Sequence, residues 1–185
     1  MPERIILENA ERMDKALEAL KKELALVRTG RANPAVLNGV TVEYYGVPTP
    51  INQIASIAVP EAQQLMIKPY DKSILKDVEK AILIEDLNLT PLNDGTVIRI
   101  NFPALTEQRR KELAKEVKAF GENAKIAIRN IRRDANEHLK KMEKDKKISE
   151  DDLKFYEEEV QDVTDKHIQT IDDIVKEKEQ SIMTI

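Results

Sequence analysis

The sequence predicts an α+β protein: an elongated three-helix bundle with a small β/α/β domain inserted between its first and second helices. Three observations carry that prediction. Apolar residues recur at alternating steps of four and three through residues 3–28, again through 107–145, and a third time from 150 onward. The stretch between the first two, residues 30–105, instead holds short β-branched runs punctuated by glycine and by seven of the eight prolines. Finally, 35% of the residues are charged and only 4% aromatic, a composition of long solvated helices rather than one thick core.

The first seam is Ile6, Ala10, Met13, Leu17, Leu20, Leu24 and Val27. It stops at Thr29-Gly30, where Gly30 is the expected C-terminal breaker. Strand-like runs follow at Val40–Tyr45, Ile54–Val59, Gln64–Lys68 and Thr96–Asn101, with Pro48-Thr49-Pro50 expected as the exit from the first of them. Asp71-Lys72-Ser73 starts a short helix through Leu75, Val78, Ile82 and Leu83. This insertion is large enough for a modest core of its own.

Thr106 is a fitting N-cap for the second helix, whose seam is Leu113, Val117, Phe120, Ala124, Ile128, Ile131, Ala135, His138 and Met142. Gly121 lies inside it at a helix-propensity cost of about 1 kcal/mol relative to alanine. Ser149 caps a third helix with an acidic first turn, and its seam runs Leu153, Tyr156, Val160, Val163, His167, Ile171, Ile174, Lys178 and Ile182. The turn at Lys146-Lys147-Ile148 is short, so the second and third helices should form an antiparallel hairpin. Folding the chain there pairs Tyr156 with Leu139, Val160 with Ala135 and Ile171 with Ala124, apolar against apolar. Residues 1–29 and 106–185 therefore make the bundle, and 30–105 the inserted domain. The chain crosses between them at Thr29, Gly30 and Arg31 and again at Phe102, Pro103, Ala104 and Leu105. Two short crossings with glycine and proline predict a restricted hinge.

A net charge of −4 conceals an asymmetry. Residues 107–147 carry fourteen bases against eight acids, whereas 148–185 carry four against twelve. The basic segment keeps a nucleic-acid partner open despite the acidic whole. There is no cysteine, which excludes disulfides, thiolate metal sites and cysteine nucleophiles and fits a reducing cytoplasm. The N-terminus is too polar for a signal peptide, and no apolar run approaches a membrane span. Neither a phosphate-binding loop nor a dinucleotide fingerprint is present. The two histidines, His138 and His167, lack metal-ligand spacing, and no nucleophile–base constellation is visible. The expectation is no enzyme activity, no metal and no cofactor.

The chemistry that is present lies in Arg129-Asn130-Ile131-Arg132-Arg133-Asp134-Ala135. Steps of three and four put the three arginines on one helix face, placed here opposite the apolar stripe. Arg129 and Arg132 have no acid three or four residues away, while Arg133 has Glu137. A guanidinium fork on an exposed helix suits phosphate. Lys111, Lys115, Lys118, Lys125, Lys140, Lys144 and Lys147 fall on the same side, and few acids of the third helix are expected to reach them. Few aromatics accompany the stripe, so phosphate contact with structured RNA fits better than stacking on single-stranded bases. On spacing alone Arg28, Arg31 and Arg110 read as structural: a helix-end partner, a crossing residue and a seam-edge residue.

Five segments are similar to a known family. Val27–Pro34, Val42–Pro50, Leu105–Arg110, Arg129–Asn136 and Asp145–Asp152 closely resemble, in the same order and over essentially the whole chain, the bacterial ribosome recycling factor family. The resemblance implies an L-shaped protein of the dimensions of transfer RNA that binds the post-termination ribosome. It implies a bundle lying on large-subunit ribosomal RNA and an inserted domain facing the small subunit and elongation factor G. That GTPase would drive subunit splitting, with release of messenger and deacylated transfer RNA. The family's RNA-facing arginines match Arg110, Arg129 and Arg132, with Arg28 and Arg31 near the joint, which raises Arg110 above its reading from spacing. A rival reading is a cytoplasmic co-chaperone or nucleotide-exchange factor, which also joins long helices to a small β-rich domain. Such proteins commonly dimerise through exposed seams, whereas three seams of one chain can satisfy each other as a monomer, so sedimentation separates the two.

Overall fold

The computed structural model describes residues 1–85 and 89–184, which divide into two compact units. One is Met1–Arg28 with Glu107–Thr184; the other is Thr29–Thr106.

The first unit holds three helices, α1 (Pro2–Leu26), α4 (Glu107–Lys144) and α5 (Glu150–Met183). Pro2 lies in the first turn of α1, where its missing N–H costs nothing. The helix ends at Leu26, two residues short of the predicted end, and Val27 is already extended. β-Branched Val27 and Thr29 are poor helix formers, so the stop falls ahead of Gly30. α4 is 38 residues, about 57 Å at ~1.5 Å per residue. It closes with Lys146 in the left-handed region (φ 55°), whose N–H donates to the Glu143 carbonyl while that of Lys147 donates to Met142, each at 2.8 Å. Three residues later Ser149 opens α5 with a reciprocal cap: its Oγ accepts from the Asp152 N–H and its own N–H donates to the Asp152 carboxylate.

Cross-helix contacts fix the directions. Gly121 meets Val175 and Lys140 meets Glu157, so α4 and α5 are antiparallel. Glu3 meets Tyr156 and Asp14 meets His167 at a constant offset, so α1 runs parallel to α5. Met13, Leu20, Val117, Ile128, Leu139, Val160 and Ile171 are almost wholly removed from solvent between the three helices. Two seam positions of α4 differ from the prediction by one residue. Gly121 rather than Phe120 is buried, and Leu139 rather than His138, which is exposed. Both shifts follow the straight-helix period, which drifts against a strict count of threes and fours.

The second unit starts with a hairpin of β1 (Thr41–Tyr44) and β2 (Val47–Pro50), turning through Tyr45 and Gly46, both at positive φ. Pro48 and Pro50 thus pair within a strand rather than ending one, as a short two-stranded ribbon allows. A single turn, α2 (Ile51–Ile54), leads into an antiparallel sheet of order β3-β4-β6-β5. Its strands are β3 (Ala55–Glu61), β4 (Gln64–Pro69), β5 (Pro91–Asn93) and β6 (Ile98–Asn101). The edge strand β5 was not predicted from the sequence. The helix α3 (Leu75–Ile84) places Val78 and Ile82 in the same core as Leu65, Ile67, Ile98 and Ile100.

Candidate nucleic-acid interface

Arg129, Arg132 and Arg133 lie within a little over one turn of α4, on a scaffold held from two sides. Arg129 and Arg133 are exposed and Arg132 is half-buried. Below them Ile128, Ile131 and Ala135 are buried, so packing fixes the backbone that presents the arginines. Asp134, the one acid inside the segment, is held by α1: its Oδ2 lies 2.9 Å from Arg12 Nη2. Among the described residues none of the three arginines forms an ion pair. Arg133 donates to the neutral Asn130 side chain and Arg132 to the neutral Gln161 of α5.

The lysines behave differently, and here one expectation is corrected. At 100° per residue the basic line is centred roughly 120° from the buried seam, not opposite it. Its near edge therefore flanks α5, and as expected few acids of α5 reach it, Asp172 and Glu157 among the described residues. Lys125, with 17% of its side chain exposed, is paired with Asp172 and with Glu122 of its own helix. The Asp172 carboxylate accepting its hydrogen bond raises the Lys125 pKa. Lys140 lies 3.8 Å from Glu157, Lys111 pairs with Glu107 and Lys147 with Asp145. Among the described residues Lys115, Lys118 and Lys144 stay outside any ion pair. Next to the arginine segment, the flanking lysines Lys125 and Lys140 are thus the ones with acidic partners on α5.

The other predicted arginines lie elsewhere along the chain. Arg110 is half-buried nineteen residues earlier on α4, about 28 Å by helical rise, with its Nε out of contact with solvent. Arg28 and Arg31 are exposed, and the boundary between the units falls between them. Near that boundary Gly30 has φ +78°, and a Cβ there would stand 3.1 Å from Leu105 Cγ, so the two predicted crossings touch. Just beyond, the Ala32 N–H donates to the Ala62 carbonyl at 2.7 Å and that of Phe102 to Gln63 at 2.8 Å.

Residues 20–183 match the family model of ribosome recycling factor. The chain belongs to the ribosome recycling factor family. It is 60% identical to the ribosome-recycling factor of Geobacillus sp. (strain WCH70) over 185 residues, covering 100% of both chains. The factor of Bacillus subtilis (strain 168) is 55% identical with the same coverage. Among solved structures, a solution structure of the ribosome recycling factor matches with a TM-score of 0.82 and 41% identity, over 100% of this chain and 98% of that one. Models of the T. thermophilus ribosome recycling factor and the E. coli elongation factor G bound to the E. coli post-termination complex also match. There the recycling factor is 44% identical, with a TM-score of 0.66 and 98% coverage of each chain.

Membership of the ribosome recycling factor family displaces the co-chaperone alternative. His167 accounts for itself within the bundle, bonded at 2.7 Å to the Val163 carbonyl and at 2.8 Å to Asp14 of α1. Among the described residues no cluster of histidine and carboxylate groups could hold a metal ion, and no helix is long and apolar enough to cross a membrane. Sequence reasoning missed Arg12 and Gln161, the side chains that arrange the arginine segment. Gln161 was within reach of it: folding about residues 147–148 sets it level with Asp134, beside Arg132.

Proposed function

We propose that this chain recycles ribosomes after translation termination. It binds the post-termination ribosome and, with elongation factor G and GTP hydrolysis by that partner, splits the subunits and frees mRNA and deacylated tRNA. The observation that carries the molecular part of this reading is the arginine segment of α4, where among the described residues Arg129, Arg132 and Arg133 stand without carboxylate partners while the flanking Lys125 and Lys140 have them. A guanidinium cluster kept cationic on a long rigid helix recognises phosphate by geometry and charge. The surface it fits is structured large-subunit rRNA, with Arg110 extending contact along α4 and Arg28 and Arg31 adding to it near the joint.

The inserted unit takes the load. Ala32 and Phe102 are both tied to the β3–β4 turn, so the joint lies before Ala32 and after Phe102. Two short crossings of that kind suit the transmission of a push from elongation factor G, on the small-subunit side. The factor itself does no chemistry and carries no nucleotide. It works in the cytoplasm as a monomer, since its three seams close on one another.

The test is subunit splitting followed by light scattering. Post-termination ribosomes with elongation factor G and GTP should dissociate only when this chain is added. Equal dissociation with and without it contradicts the reading.

A further inference from the structure

Resting on the RNA-binding reading of α4, we propose that Gln161 of α5 is a positioning residue for the interface, aiming the Arg132 guanidinium while leaving its charge whole. Arg132 Nη1 donates to Gln161 Oε1 at 3.2 Å, and Gln161 Nε2 donates to Asp165 Oδ1 at 2.8 Å, one turn further along α5. The chemistry fixes which way the amide points. A guanidinium only donates and a carboxylate only accepts, so the carbonyl must face Arg132 and the amino group Asp165. The reversed amide would oppose donor to donor and acceptor to acceptor.

The same flank of α5 supplies the contrast. It presents Asp172 to Lys125 and Glu157 to Lys140, both carboxylates. To Arg132 it presents a neutral amide, with the negative charge of Asp165 held one side chain away. A carboxylate at position 161 could grip the fork bidentately and would consume both its charge and its donors. The amide takes one donor, restrains a long side chain that would otherwise lose rotamer freedom on binding, and leaves the rest of the fork for phosphate.

The test measures affinity of the intact protein for isolated large ribosomal subunits across a salt series, with melting temperatures alongside. Gln161→Glu should weaken binding roughly tenfold and lower the slope of log affinity against log salt by about one phosphate contact, with the melt undiminished. Gln161→Leu should weaken binding several-fold and keep the slope, because the charge remains and only its aim is lost. Wild-type affinity in either variant overturns the proposal, as does a loss that tracks a lowered melt in both. Arg132→Glu is the reference: if it weakens binding while both Gln161 variants do not, the α4 interface stands and Gln161 is a bystander. If Arg132→Glu also binds normally, the interface reading fails and this proposal falls with it.

Discussion

Gly121 of α4 lies so close to Val175 of α5 that a Cβ on the glycine would stand 2.6 Å from Val175 Cγ2. In an exposed helix Gly→Ala gains about 1 kcal/mol. Here the added methyl meets a β-branched side chain with few rotamers, so overpacking dominates. Gly121→Ala should destabilise the protein by up to about 2 kcal/mol, an overpacking cost of about 1–3 kcal/mol less the helix-propensity gain. Shortening the opposing side chain, in Gly121→Ala with Val175→Ala, should recover part of that loss, read as a coupling term in a denaturation double-mutant cycle.

Lys125 and Asp172 supply a pH dependence on the alkaline side. The lysine's pKa is raised, first by the hydrogen bond to Asp172, with Glu122 adding to it. Its contribution to stability is therefore complete below the unfolded lysine value of about 10.4 and lost as pH rises through the higher folded value. The melting advantage of wild type over Asp172→Asn should hold steady through neutral pH and shrink above about pH 10.5. An advantage that persists undiminished there excludes the pair as its source.

On the acid side the corresponding group is Asp152. The Ser149 backbone N–H and hydroxyl hold its carboxyl below the ordinary aspartate range. A lowered carboxylate contributes fully above its unfolded pKa, about 3.9, and the contribution disappears as pH falls through the folded value. Thermal melts of wild type and Asp152→Asn should converge below about pH 4 and separate above it. Parallel curves across that range would mean the cap does not depend on the charge.

Lys146 occupies the left-handed region at the α4–α5 turn (φ 55°), where a side chain is strained. Lys146→Gly removes that strain at the cost of a more flexible unfolded chain, and the net gain should be up to about 1 kcal/mol. Chemical denaturation measures it; a loss of stability would show that the lysine side chain makes up for its backbone.

The long helices were legible because their seams repeat over many turns, so an error of one residue at Phe120 or His138 leaves the burial of the rest unchanged. The hairpin register was legible for the same reason, and Gly121–Val175 and Lys140–Glu157 agree with it. What periodicity could not give is reach. Angles around α4 put Lys125 and Arg132 on one line but do not say that Asp172 arrives at the first and Gln161 at the second. In the inserted unit, Pro48 and Pro50 read as breakers because propensity is blind to a two-stranded ribbon, and β5 at three residues is too short to leave a pattern. Gly121 carried a real signal that was read as a cost, when a glycine in a long packed helix marks a close approach.

In the proposed function α4 grips large-subunit RNA through Arg129, Arg132 and Arg133, which have no carboxylate partner among the described residues. The decisive measurement is co-sedimentation of wild type and Arg132→Glu with isolated large subunits, from low to moderate salt. Arg132 makes its only described side-chain bond to a neutral partner, so the exchange should leave the thermal melt nearly unchanged. Wild-type binding should fall steeply as salt rises, and Arg132→Glu should bind at least about tenfold more weakly at low salt, with the gap narrowing as salt rises. Binding of Arg132→Glu indistinguishable from wild type at low salt would mean that the arginine segment is not the contact.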